Sequence, residues 1–177
     1  MEKLGVELVI IPHDSRIDQA DDIDELISEL AELSKVAISM GLKLGYHSHS
    51  KEFAPFKDAT FWDYLAQNTP DSFVLQLDVG WVNYAGHDAI AYIKRYPGRT
   101  LTTHYKIRTL QGQEGTPVII GQDKYDWLKL YSTNIEFGRT QWIVIEQEEY
   151  PASYTPLEAV NASAQNLQKI ITEYTFK

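Results

Sequence analysis

Three side chains of types that bind divalent metals stand at the ends of short apolar segments. Asp78 closes the segment LQLD, His104 follows LTT, and Glu146 follows WIVI. Carboxylate and imidazole groups together form a nitrogen and oxygen donor set suited to Mn²⁺, Mg²⁺, Co²⁺ or Zn²⁺. The chain has no cysteine, so thiolate ligands are excluded. These residue types therefore predict a divalent metal site and leave the identity of the metal open.

A fourth apolar segment ends in Tyr46, His47, Ser48 and His49, so it offers imidazole donors at an equivalent place. A single histidine or aspartate after a strand is more often explained by a structural hydrogen bond than by a metal. Four consecutive segments that all end in a potential ligand instead favour one shared site.

The segments that carry these residues alternate with stretches of helical period. The pattern predicts strands over residues 5–11, 43–47, 73–78, 101–104 and 142–147, and helices over 23–40, 60–68, 89–96, 124–137 and 155–174. Residues 106–120 have turn composition and are expected to form a long loop or a small hairpin over the sheet. Strands that alternate with helices in this way are parallel and joined by right-handed crossovers. The sequence thus predicts an α/β fold of about five βα units with parallel strands, whose carboxyl ends meet at one rim.

Composition narrows the classes of partner. The net charge of −9 disfavours nucleic acid, because a phosphate-binding surface needs clustered lysine and arginine. No apolar run approaches the roughly 18 residues that a membrane span requires, so no membrane contact is expected. The absence of cysteine favours a cytoplasmic location. The length of 177 residues suits a single domain, 1–177, but is short for eight βα units.

Five segments resemble the second half of the barrel of the xylose isomerase-like sugar phosphate isomerase/epimerase superfamily. They are GLKLGYHSHSKEF at 41–53, LQLDVGWVNYAGHDAIAYIKRYPGR at 75–99, THYK at 103–106, IGQDKYDW at 120–127 and WIVIEQEEY at 142–150. Their order and spacing match that family across nearly the whole chain. The resemblance implies a partial (β/α) TIM-type barrel that lacks the first three βα units.

The resemblance also implies a metal site formed by His47, Asp78, His104 and Glu146. The family has a glutamate at the position of His47, and its epimerases use the first and last carboxylates as opposed acid and base groups. A branch of the family with a YHNH-like sequence shares the histidine. We therefore expect His47 and Glu146 to be the catalytic residues, with His47 serving as a ligand, as a base or as both.

Four further side chains are predicted to bind substrate: His49, Glu52, Trp81 and Lys106. For His49 and Glu52 the alternatives are a place in the metal shell, or a solvent-facing histidine and a surface carboxylate. For Trp81 the alternative is core packing. Lys106 is expected to bind a substrate oxygen or phosphate. The family motif continues with an aspartate after this lysine, whereas this chain has Ile107.

The function implied by the resemblance is a metal-dependent isomerase or epimerase that moves a proton next to the carbonyl of a sugar or keto-sugar. A keto-sugar lyase or dehydratase uses the same enolate-like intermediate and is the nearest alternative. A non-catalytic carbohydrate-binding remnant of the barrel is a third reading, and the acidic charge disfavours a DNA-repair endonuclease of the same fold. Because an open parallel sheet exposes its edges, we expect a homo-oligomer.

Overall fold

A curled five-stranded parallel sheet forms the centre of the molecule. The computed structural model describes residues 5–110, 112, 115 and 117–175. In this part of the chain the strands are β1 (Leu8–Ile11), β2 (Lys43–His47), β3 (Pro55–Phe56), β4 (Ala59–Thr60), β5 (Val74–Asp78), β6 (Thr102–Tyr105) and β7 (Trp142–Ile145). The sheet has the order β1-β2-β5-β6-β7 with every pair parallel, and β3 and β4 form a separate antiparallel hairpin. The predicted partial TIM-type barrel is confirmed.

Helices connect the strands, as predicted, although several boundaries differ. They are α1 (Ile23–Ser39), α2 (Phe61–Asn68), α3 (Val79–Tyr84), α4 (Ala89–Arg95), α5 (Trp127–Thr133) and α6 (Pro156–Thr175). The helix predicted from residue 124 begins only at Trp127, because the Asp126 side chain accepts a hydrogen bond from the Lys129 amide and caps it. Its predicted last residues form a π-helical turn, Asn134–Gly138. Helix α3 and the small hairpin were not predicted, since both are too short to show a period.

One face of α1 packs on the sheet and the opposite face is exposed. Its buried side chains include Ile23, Leu26, Ile27 and Leu30. Leu33 and Met40 also fit the helical period, yet they are 51% and 62% exposed. The helical period of the apolar residues therefore predicted the helix correctly. It did not predict which of these residues are buried, because it also included Leu33 and Met40. Gly41 follows the helix at a φ of +72°, a conformation that glycine adopts without strain.

Side chains alternate between the two faces of the sheet, and this alternation positions the site. Leu44, Tyr46, Leu75, Leu77 and Tyr105 are buried in the core between the sheet and the helices. The intervening residues of the same strands therefore face the concave side, where a closed barrel has its interior. Toward the carboxyl ends of the strands they are polar: His47 pairs in register with Gln76, and Asp78 pairs with His104.

The loop predicted over residues 106–120 contains no helix or strand among its described residues, and residues 111, 113, 114 and 116 lie outside the description. Within the described part of the sheet, β1 and β7 each have a single neighbouring strand. Trp142 on β7 is 67% exposed, so apolar surface is present at this edge. The homo-oligomer stays a prediction. Among the described helices, none has the length and apolar character that a membrane crossing requires.

A buried carboxylate ties α2 to α4 and supports a stability prediction. Asp63 accepts hydrogen bonds from the Thr60 hydroxyl at 2.7 Å, from the Arg95 guanidinium at 2.7 Å and from the Tyr96 hydroxyl at 2.6 Å. Burial alone would raise the pKa of Asp63, but these hydrogen bonds hold that pKa below its ordinary value of 3.8. We expect Asp63→Asn to lower the free energy of unfolding by about 2 kcal/mol near neutral pH, because bonds to a charged group are lost.

The pH dependence of this difference follows from the direction of the pKa shift. A carboxyl whose folded-state pKa is depressed stabilises the fold above its unfolded pKa and loses that contribution as the pH falls through the folded value. The difference between wild type and Asp63→Asn should therefore shrink below about pH 4. Urea unfolding at several pH values measures it, with the exposed Asp58→Asn as control. An equal effect of the two substitutions would contradict the assigned role.

Candidate metal centre

Four predicted ligands come together at the carboxyl ends of adjacent strands. His47 ends β2, Asp78 ends β5, His104 lies on β6, and Glu146 directly follows β7. Each offers one ligand atom, and these atoms all lie within 4.8 Å of one another. We refer to these four residues as the four-residue centre. Parallel pairing of the strands brings their ends to one rim, although the residues are far apart in the chain.

Asp78 is the most buried member of the four-residue centre, with an exposed fraction of 0%. Its Oδ1 accepts a hydrogen bond of 3.0 Å from the Trp81 amide and thereby caps α3. Its own amide donates to the Ser48 hydroxyl at 3.0 Å. Burial raises the pKa of Asp78, because the charged form loses its hydration. One carboxylate oxygen is thus used in structure, while the other faces the centre.

That second oxygen, Oδ2, has the buried Lys106 ammonium as its near partner. It lies 3.7 Å from His47 Nε2, 3.9 Å from His104 Nδ1 and 3.0 Å from Lys106 Nζ, the last an ion-pair contact. The two imidazole nitrogens are too distant for a hydrogen bond. A buried carboxylate oxygen that faces an ammonium group and two imidazole nitrogens lies among groups that suit a cation site.

Hydrogen bonds through a series of polar side chains orient His47. Its Nδ1 lies 2.9 Å from Gln76 Oε1, and Gln76 Nε2 donates to the Thr102 hydroxyl at 3.0 Å. Because the amide oxygen can only accept, Nδ1 carries the proton and Nε2 keeps its lone pair toward the centre. Burial, together with the neighbouring imidazoles of His104 and His49, lowers the pKa of His47 to about 4. The ring is therefore neutral near neutral pH, as a metal ligand must be.

Glu146 sits at the more open side of the centre. Its Oε2 lies 2.7 Å from His104 Nδ1, and its Oε1 lies 3.2 Å from Lys106 Nζ. The hydrogen bond with His104 lowers the pKa of Glu146 to about 2, with the Lys106 ammonium adding to the effect. Glu146 is thus ionised at neutral pH and able to accept a proton or bind a cation.

Lys106, predicted to bind substrate, is held inside the site by carboxylates. Its ammonium contacts Asp78 at 3.0 Å, Glu146 at 3.2 Å and Glu148 at 3.2 Å, and its side chain is only 1% exposed. Burial alone would lower the pKa of Lys106, but these three carboxylates outweigh it and raise the pKa. A contact between this ammonium and a substrate stays a prediction.

Trp81 lies at the rim and is partly buried, so it is not a core residue. Its ring lies 4.1 Å from the Arg108 guanidinium carbon and 5.2 Å from Lys106 Nζ, both over the ring face. Its Nε1 is buried and has no hydrogen-bond partner among the described residues. The ring centroid lies 5.8 Å from that of His49, which places Trp81 next to the other predicted substrate residues.

His49 and Glu52 lie beside the four-residue centre. The rings of His47 and His49 have centroids 4.9 Å apart. Glu52 is 0% exposed, so the alternative of a surface carboxylate is wrong for this residue. Its Oε2 accepts a hydrogen bond of 2.9 Å from the His49 amide. The neighbouring Glu52 carboxylate raises the pKa of His49.

Three residues of the site were not predicted from the sequence: Gln76, Glu148 and Arg108. Gln76 is a polar residue inside the apolar run VLQLD, two positions before Asp78, and this strand period was the available signal. Glu148 follows Glu146 by the same two-residue step. Arg108 forms an ion pair of 2.6 Å with Glu148 and covers the ring of Trp81, a contact that no sequence pattern indicates.

Comparison with known proteins gives relatives of one fold. No family model matches the chain. The inosose dehydratase of Lactiplantibacillus plantarum is 26% identical over 166 residues, which are 85% of this chain and 55% of that protein. The chain spans about half the length of the curated relatives that it matches, with shares of 55%, 51% and 50% for three of them.

Solved structures share this fold as well. A sugar phosphate isomerase/epimerase from Parabacteroides distasonis superposes with a TM-score of 0.79 at 25% identity, covering 94% of this chain and 60% of that one. The structure of the IOLI protein with a bound zinc atom gives a TM-score of 0.68 at 18% identity, covering 98% of this chain and 66% of that one. This second likeness concerns the fold alone.

Proposed function

From the xylose isomerase-like barrel fold that this chain shares with sugar phosphate isomerases and epimerases, we propose a metal-dependent enzyme acting on a keto-sugar or keto-polyol. The reaction begins with removal of a proton from the carbon next to the carbonyl. Loss of water from that intermediate, as in a dehydratase, is the outcome that we favour. Isomerisation or epimerisation of the same substrate class is the second candidate.

The four-residue centre would hold the metal through His47 Nε2, Asp78 Oδ2, His104 and Glu146. The buried Asp78 Oδ2, which lies 3.7 Å from His47 Nε2 and 3.9 Å from His104 Nδ1, and the lone pair of His47 support this assignment. A bound divalent metal would polarise the substrate carbonyl and stabilise negative charge on its oxygen. The donor set of two imidazoles and two carboxylates suits Mn²⁺, Co²⁺ or Zn²⁺ better than an ion that prefers oxygen ligands alone.

One observation favours elimination over epimerisation. An epimerase of this family needs acid and base groups on opposite faces of the substrate, and this centre has only one carboxylate so placed, Glu146. His47 occupies the other position, but its Nδ1 is taken by Gln76 and its Nε2 points toward Asp78. With Nε2 binding the metal as proposed, neither nitrogen of His47 would be left to exchange a proton with the substrate. The curated relatives named inosose dehydratase agree with this preference.

The proposed elimination assigns each atom. Glu146 takes the proton from the carbon next to the carbonyl, and the electron pair of that C–H bond forms the new carbon–carbon double bond. The C–O bond on the next carbon breaks, and its hydroxyl leaves as water after taking a proton from an acid at the rim. We assign this role to His49, whose ring lies beside that of His47. Trp81 would stack on the apolar face of the substrate ring.

A substrate screen in D₂O tests this function. The purified chain, loaded in turn with Mn²⁺, Co²⁺, Zn²⁺ and Mg²⁺, is incubated with cyclic and open-chain keto-polyols. Products that have lost one water, detected by mass spectrometry, support the dehydratase. Deuterium incorporation next to the carbonyl without loss of water supports the epimerase. Metal binding without either reaction supports the non-catalytic carbohydrate-binding reading and contradicts both proposed activities.

The Gln76 side chain yields a quantitative prediction about the metal. Gln76→Leu removes the acceptor that holds the His47 tautomer, so we expect metal affinity to fall by about 10-fold to 100-fold. The protein should stay folded, because leucine is similar in size and suits a strand. Isothermal titration with Zn²⁺ measures the change, and the exposed Gln165→Leu on α6 is the control. Unchanged affinity in Gln76→Leu would show that His47 needs no such support.

A further inference from the structure

A second group of potential ligands lies next to the four-residue centre. It consists of His13, His49 and Glu52, whose ligand atoms all lie within 4.8 Å of one another. We refer to these residues as the three-residue group. His13 follows β1, His49 follows β2, and Glu52 lies in the short 3₁₀ turn Lys51–Phe53. Three separate segments of the chain therefore meet at this point on the rim.

The Glu52 carboxylate is buried and only half used. Its Oε2 accepts the hydrogen bond from the His49 amide, which fixes the orientation of the carboxylate. Its Oε1 has no hydrogen-bond partner among the described residues, although the side chain is 1% exposed. Leaving a buried oxygen of this kind without a partner destabilises the fold. Such an atom, held in place by its partner oxygen, points to a ligand.

His49 has the complementary feature. Its Nδ1 is buried, has no hydrogen bond within the described part of the chain, and lies 3.8 Å from Glu52 Oε1. This separation is too long for a hydrogen bond. Two ligands of one tetrahedral ion, each about 2.1 Å from the metal, stand about 3.4 Å apart, so the observed gap is close to that of a shared cation.

His13 completes the donor set from the solvent side. Its ring is edge-on to the ring of His49, with centroids 5.8 Å apart. His13 is exposed, so an ion can enter without opening the fold. Two imidazoles and one carboxylate, with a position left for water or substrate, form a donor set that zinc uses in enzymes.

We propose that the three-residue group binds a second divalent cation, of the type of Zn²⁺ or Co²⁺, beside the four-residue centre. Mixed imidazole and carboxylate donors favour these ions over Ca²⁺, which takes oxygen ligands. The ring of His49 lies 4.9 Å from that of His47, so the second cation would stand at the edge of the same substrate pocket. There it would add positive charge for a substrate oxygen. The proposal does not depend on which reaction the chain catalyses, but His49 can serve as the acid of the proposed elimination only while this cation is absent.

Metal stoichiometry tests the proposal. Elemental analysis and isothermal titration of the purified chain with Zn²⁺ or Co²⁺ should give two ions per chain. His13→Gln should reduce the count to one, because an exposed ligand is lost while the four-residue centre is untouched. Asp78→Asn should also leave one ion, and the double variant none. If the wild type binds one ion and His13→Gln removes it, the result supports the three-residue group and counts against the four-residue centre.

Two further variants separate specific binding from other effects. Glu52→Gln should also remove one ion, with circular dichroism reporting whether the buried substitution alters the fold. His87→Gln is the matched control, since its imidazole belongs to neither group and glutamine can still donate to the Phe53 carbonyl that His87 contacts at 3.1 Å. A wild-type count of zero would overturn the proposal. So would a count that His13→Gln and Glu52→Gln leave unchanged, or one that His87→Gln reduces equally.

Discussion

Replacing Glu146 with glutamine is expected to lower turnover by about a thousandfold while leaving the fold intact. The substitution keeps the shape of the side chain but removes the group that takes the proton in the proposed reaction, and such groups contribute about 10²-fold to 10⁴-fold. Glu146 is partly exposed, so loss of its ion pairs with His104 and Lys106 should cost little stability. Steady-state kinetics with the substrate found by the D₂O screen, together with thermal unfolding, measures both effects.

Glu149→Gln is the matched control for this experiment. Glu149 is three residues away in the same segment and contacts Thr109 and Arg108, not the four-residue centre. Its replacement should change turnover by less than about threefold, since surface ion pairs contribute little. Turnover in Glu146→Gln within about tenfold of wild type would exclude the assigned base, because a proton-transfer group contributes more than that.

Asp78→Asn is expected to remove metal binding at the four-residue centre, with affinity falling by more than about a hundredfold. That loss exceeds the effect of removing a residue that merely orients a ligand. Asparagine can still accept the Trp81 amide and cap α3, so the helix start should persist. The substitution removes the negative charge of Asp78. It also replaces the buried Oδ2, the oxygen that faces the imidazoles of His47 and His104. Titration with Zn²⁺ and elemental analysis measure the result.

The comparison of Asp78→Asn with Asp78→Ala separates the metal from the fold. Both variants remove a carboxylate partner of the buried Lys106 ammonium, and alanine also removes the cap of α3, so alanine should lower the free energy of unfolding by about 1 kcal/mol more than asparagine. Metal binding at the wild-type level in Asp78→Asn would show that the metal does not lie at the four-residue centre. This conclusion would hold even if Glu146→Gln has lost turnover. Loss of binding in both Asp78 variants, with a stable fold in the asparagine variant, agrees with the assigned ligand.

Local patterns were enough to predict the succession of elements. The apolar runs before His47, Asp78, His104 and Glu146 marked four strands, and the alternation with helices predicted a parallel sheet. The family resemblance added the barrel, and solved structures confirm that fold. Short elements such as α3 escaped, because six residues cannot show a helical period.

The candidate site could be predicted only in part. Residues at strand ends were identifiable, because parallel strands present their carboxyl ends on one rim. Gln76 was not, since its role depends on the register that places it opposite His47. Arg108 and Glu148 were not either, because their contacts with Trp81 and Lys106 join residues whose loops have no regular period.

The sequence by itself determined the donor types at the rim and the order of the strands that carry them. It did so because strand period and strand-end position are local properties of the chain. Only the tertiary structure decided which oxygen of Asp78 faces the four-residue centre. It also decided that Glu52 is buried, and that His13 and His49 meet beside Glu52. Those features depend on distances between segments far apart in the chain, which packing of the sheet and helices establishes and no local pattern encodes.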